Sequence, residues 1–188
     1  MSFDRCIFAL AGLMTAVIFL LEFNATVLIA VLIAVIVHEA GHITAVYVLG
    51  GKVNRLEPEF GGLRIDYTGL ETELKNAAAA LFGPAFGVIY GLLYNCFRAN
   101  FASDTLLLSA KLSLLYSSFN LLPIIPLDGG RMFLCISELI LPAGSEKMSR
   151  QVSLLFIIVC FLLGLILWIK GEGGALFSVS IWLLLMQE

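Results

Sequence analysis

The chain has 188 residues, of which 60% are hydrophobic and 13% charged, with a formal net charge of -3. Mean hydropathy is +1.00, and the charged share is about half that of an ordinary soluble domain. These values exclude a sizeable soluble domain, give no basis for nucleic-acid binding, and describe a multi-pass membrane protein folded as one domain over residues 1–188.

The first apolar run covers residues 6–21. It is longer than the apolar region of a signal peptide and no small-residue cleavage site follows it, so it reads as a retained first span. The second run, residues 26–49, is long enough to cross a bilayer as one helix and stops at Gly50-Gly51. Inside it stand His38, Glu39 and His42. Ionisable groups at such a depth are costly, so they imply a partner or a task. On a helix His38 and His42 project from one face, one turn apart, and two imidazoles so placed can bind one zinc ion. Glu39 is a quarter-turn away, within reach of a water on such an ion. The plainer alternatives are a chance match, or two histidines bonded to neighbouring helices.

Residues 52–75 change character: charges are frequent and no long apolar run appears. Leu63, Ile65 and Tyr67 alternate with Arg64, Asp66 and Thr68, which is strand periodicity. With Gly61-Gly62 as the turn, the pattern predicts a hairpin of residues 53–60 against 63–68, within a membrane-associated segment 52–70. Pro58 confines the first strand to an edge or a bulge.

Residues 76–97 form a third span, in which Ala79, Gly83, Gly87 and Gly91 make a strip of small residues suited to close helix approach. Pro84 predicts a kink there. A fourth span begins at residue 105 and carries Ser109, Ser113 and Ser117 on one face. It breaks at residues 120–130, Asn-Leu-Leu-Pro-Ile-Ile-Pro-Leu-Asp-Gly-Gly, because two prolines and two glycines cannot continue a regular helix. Irregular backbone at membrane depth is tolerated only inside protein or against a watery cavity. A helix over residues 131–141 follows, then a polar stretch 142–151 and two further spans, 152–169 and 175–186. The expected fold is an all-α integral membrane bundle of about six transmembrane helices, with a small membrane-associated β-hairpin after the second. Cys6, Cys96, Cys135 and Cys160 are scattered singly and read as structural thiols.

Loop charge sets orientation. One side of this layout holds Arg5, Lys52, Arg55, Arg64, Lys75, Lys147 and Arg150, the other Arg98 and Lys170. The rich side is the cytoplasmic one, in a multi-pass protein of the cell membrane. That places His38, His42 and the 120–130 break in the cytoplasmic half of their spans.

A catalytic zinc takes three protein ligands and keeps one open position. With two histidines and no clustered thiols, the third ligand is a carboxylate, and Asp128 sits in the break at the right depth. The alternatives for Asp128 are an ion pair with Arg131 or a cap on the helix after Gly130. Glu39 is the expected general base. Asn120 either donates to a developing oxyanion or to substrate backbone, or holds the break together. A helical substrate must unwind before its peptide bonds can be cut. The hairpin edge offers a place for an extended substrate segment. Gly83-Pro84, with Gly129 and Gly130, offers close backbone approach, so Gly83 and Pro84 stand as substrate-binding candidates.

His-Glu-Ala-Gly-His at 38–42, Phe-Gly-Pro-Ala-Phe-Gly at 82–87 and the 120–130 motif together resemble the site-2 proteases, over residues 30–141. In layout the chain is similar to the compact sporulation-type members that process a pro-sigma factor. The resemblance implies an intramembrane zinc metalloendopeptidase with one zinc ion per chain, held by His38, His42 and Asp128, with Glu39 catalytic. It implies hydrolysis of membrane-embedded or membrane-associated substrates in regulated proteolysis, within the lipid bilayer, and leaves room for a regulatory membrane partner. One departure is Gly87, where family members often carry asparagine. The other readings are a non-catalytic membrane adaptor of the same fold, against which the intact Glu39 speaks, and a metal transporter, which would want ligands on more spans.

Overall fold

A computed structural model describes residues 24–59, 62–97, 99, 103–171 and 174–185. The predicted first span, residues 6–21, lies outside them.

Helix α1 (Ala25–Val48) begins at Asn24, whose Oδ1 accepts from the Val27 N–H at 3.0 Å. Such a cap satisfies one of the unpaired amides of the first turn. At the other end Lys75 Nζ donates to the Leu49 carbonyl at 3.0 Å, a cation where the helix dipole is negative. Strands β1 (Lys52–Glu59) and β2 (Gly62–Thr68) pair antiparallel, with Leu56 opposite Ile65 and an irregularity between Val53 and Arg55. Pro58 is tolerated because the sheet has two strands and each has a free edge.

Helix α2 (Glu73–Phe97) starts three residues before the predicted 76 and runs through Pro84. Helix α3 (Asp104–Asn120) is capped by Ser103 Oγ, which accepts from the Leu106 N–H at 3.4 Å. The chain then leaves helical geometry, passes a cis Ile125-Pro126 bond, and resumes as α4 (Asp128–Ile140). The sequence pattern starts this helix at residue 131; the structure starts it at Asp128. The two glycines occupy its first turn, where the break folds back on them: a Cβ at Gly130 would lie 2.6 Å from the Ile125 N.

Helix α5 (Ser145–Ile169) also corrects the reading, since residues 145–151 are helical and not a polar loop. Ser145, Ser149 and Ser153 fall at helical spacing and are all buried, so the polar residues form the inner face. Helix α6 is Gly174–Leu185. Of the described helices, three are long and apolar enough to cross a membrane: α1, α2 and α5.

Helices α1, α2 and α3 pack on one another, α4 packs on α2 and α5, and α5 on α6. Small residues line these contacts: Ala30, Ala34 and Ala45 on α1, Gly83, Gly87 and Gly91 on α2, Ser109, Ser113 and Ser117 on α3. Large side chains such as Leu32, Ile36, Leu92, Leu155 and Leu162 face outward. That inversion suits lipid, which gives no hydrophobic incentive to bury leucine and leaves close backbone packing to hold helices together. Ile124 of the break is wholly buried with Ile157 of α5 and Leu183 of α6. The break is therefore wedged in the interior, and its placement sets where Asp128 emerges.

Candidate active site

Helix α1 carries two imidazoles one turn apart, and the first turn of α4 carries a carboxylate ninety residues on. The fold brings their tips together. His38 Nε2 lies 2.9 Å from Asp128 Oδ2, His42 Nε2 lies 3.2 Å from the same oxygen, and the two Nε2 atoms are 3.2 Å apart. His38 is 1% exposed, and the other two side chains are largely covered.

The protonation of this cluster follows from its neighbours. His42 Nδ1 lies 2.8 Å from the Ala79 carbonyl, which can only accept, so Nδ1 carries the hydrogen. His42 Nε2 then presents a lone pair, as does Asp128 Oδ2. Electron-rich atoms at this separation repel unless a cation or shared protons lie between them. A tetrahedral zinc with bonds of about 2.0–2.1 Å sets its donors about 3.3 Å apart. The three tips stand close to that spacing, and all lie within 4.8 Å of one another. Histidine nitrogens with a carboxylate oxygen form a donor set that zinc accepts. The alternatives weighed for Asp128 do not describe its position: Leu127 holds the cap position of α4 with no side-chain cap bond, and the Asp128 carboxylate turns to the histidines.

Glu39 is 6% exposed, and its carboxylate lies within electrostatic range of His42 and Tyr116. Gly83 stands against the His42 ring: a Cβ there would overlap Nε2 and lie 2.5 Å from Cε1. Its absent side chain makes room for the imidazole. Pro84, the other substrate-binding candidate, is fully buried in the helix packing. Gly129 and Gly130 do permit close backbone approach, but of the chain's own residues 121–125. Asn120 Nδ2 donates to the Tyr116 carbonyl one turn back at 3.0 Å, tying down the end of α3. Its side chain also hydrogen-bonds the Tyr116 hydroxyl.

Two participants escape a side-chain reading of the sequence. The Ala79 carbonyl is backbone, and nothing in residue identity marks it. Tyr116 packs its ring edge-on to His38, centroids 4.7 Å apart and planes at 66°. Its only sequence signal is its place four residues before Asn120, and no spacing relates it to His38.

Residues 88–163 match the model of peptidase family M50. They take in Asn120 and Asp128 and stop short of the two histidines. The fold is similar to that of a solved site-2 protease from Methanocaldococcus jannaschii, with a TM-score of 0.69 and 21% identity, covering 95% of this chain and 83% of that one. No curated protein matches the chain. The resemblance to the site-2 proteases holds both in sequence and in fold.

Proposed function

From that likeness to family M50 and to the site-2 protease fold, we propose that this chain is an intramembrane zinc metalloendopeptidase. It cleaves membrane-embedded or membrane-associated proteins, in regulated intramembrane proteolysis. The observation that supports this most is the convergence of His38, His42 and Asp128 from two distant helices onto one point. When bound there, zinc supplies a Lewis acid that polarises a peptide carbonyl and acidifies water.

The chain's own residues do the rest. His38, His42 and Asp128 hold the metal, and the Asp128 charge offsets part of the cation's cost in an apolar setting. Glu39 takes a proton from the attacking water and returns it to the leaving amine. Asn120 donates a side-chain N–H to the oxyanion or to substrate backbone. An unwound substrate segment lies along an edge of the hairpin, where no third strand pairs among the described residues. The site opens toward the cytoplasmic side.

The deciding measurement uses a single-span reporter that the wild type cleaves. Glu39→Gln is expected to keep its zinc and its fold while cleavage falls by about 10²–10⁴-fold, the usual weight of a general base. His38→Ala and Asp128→Ala are expected to lose zinc itself, read by metal analysis of purified protein. Cleavage by Glu39→Gln at the wild-type rate would remove the assigned base.

A further inference from the structure

The two imidazoles of the cluster are held in different ways. His42 has its Nδ1–H bonded to the Ala79 carbonyl, which fixes its plane and aims Nε2. His38 has no such anchor: its Nδ1 is buried with no hydrogen-bond partner among the described residues. A metal-binding histidine ordinarily donates its second ring N–H to a carboxylate, a carbonyl or a water, and that bond sets its orientation. The χ2 torsion of histidine is otherwise broad, so an unanchored ring can swing its Nε2 off target.

Apart from the Asp128 oxygen at Nε2, the His38 ring meets two other rings. Tyr116 meets it at 4.7 Å and 66°, and His42 at 4.9 Å and 73°. His42 is itself fixed, so Tyr116 is the second wall of a slot in which the His38 plane is confined. We propose that Tyr116 of α3 is a positioning residue for His38, holding the imidazole plane by ring packing so that Nε2 faces the metal point. This rests on the zinc reading above. Its consequence is that α3 takes part in the metal site without supplying a donor atom. The ring does this work and the phenolic hydroxyl is not required.

The test is zinc affinity of the full chain in detergent, by competition with a chromophoric chelator, with the cobalt-substituted visible spectrum as a second readout. Tyr116→Phe keeps the ring and is expected to stay within about 3-fold of wild type, whereas Tyr116→Leu weakens zinc about 10–100-fold, the usual scale for losing an orienting partner. The cobalt spectrum of Tyr116→Phe matches wild type, and that of Tyr116→Leu does not. If Tyr116→Leu fails to fold, Tyr116→Met, which fills similar space without a fixed plane, takes its place with the same expectation. Zinc held as tightly by the leucine or methionine variant as by wild type overturns the proposal. So does a phenylalanine variant that falls as far as leucine, since the hydroxyl would then be the cause. A wild type that binds no zinc, or binds it equally after His38→Ala, removes the metal reading first and this inference with it.

Discussion

At the scale of single residues, the site depends on what is missing as much as on what is present. The His42 ring lies between its bond to the Ala79 carbonyl and the bare Cα of Gly83, both on α2. Adding one methyl at Gly83 places a carbon on the ring end that carries the free lone pair. Gly83→Ala is therefore expected to lower zinc affinity at least about 10-fold, comparable to loss of an orienting contact. Helix content by circular dichroism stays at the wild-type level, because alanine is a better helix former than glycine. Unchanged affinity would mean that the ring has slack which the geometry denies. The histidine pair was legible from spacing, since residues four apart on a helix share a face wherever that helix goes. The need for Gly83 was not, because it arises from where α1 crosses α2.

At the scale of elements, the α2–α3 seam explains the departure at Gly87. Ser113 Oγ donates to the Gly87 carbonyl at 3.1 Å, and a Cβ at Gly87 would overlap Ser117 Oγ. Polar groups at this level come from α3, and α2 has no room to offer one. Gly87→Ala is expected to cost about 1–3 kcal/mol by overpacking, with part recovered by adding Ser117→Gly. Thermal unfolding of the two variants in detergent checks this, and a single variant as stable as wild type would show the seam to be loose. The small-residue strips of α2 and α3 were readable one helix at a time, but their pairing was not. The misplaced starts of α4 and α5 have one cause. Glycines in the first turn of α4 and serines in the first turns of α5 look like loop residues, yet each set faces the interior.

At the scale of the whole molecule, outward leucines and inward glycines, alanines and serines make a protein whose interior is more polar than much of its surface. That distribution favours lipid around α1, α2 and α5. The orientation read from loop charge predicts that the hairpin faces the cytoplasm. With the native cysteines replaced, Arg55→Cys, at a side chain 70% exposed, is expected to react with an impermeant maleimide in inverted vesicles and not in intact cells. Labelling only from the outside would reverse the proposed topology and move the site to the other half of the bilayer.

The sequence by itself determined the membrane character, the hairpin, the break after α3 and the paired histidines. Each is written in local pattern: hydropathy, alternation, proline and glycine, helical spacing. Only the tertiary structure decided that Asp128 meets both imidazoles, that Gly83 and the Ala79 carbonyl shape the slot for His42, and that Tyr116 closes on His38. Those contacts join residues whose separation along the chain runs from 37 to 90 positions. Packing between helices creates such neighbours, and no period within one helix encodes them.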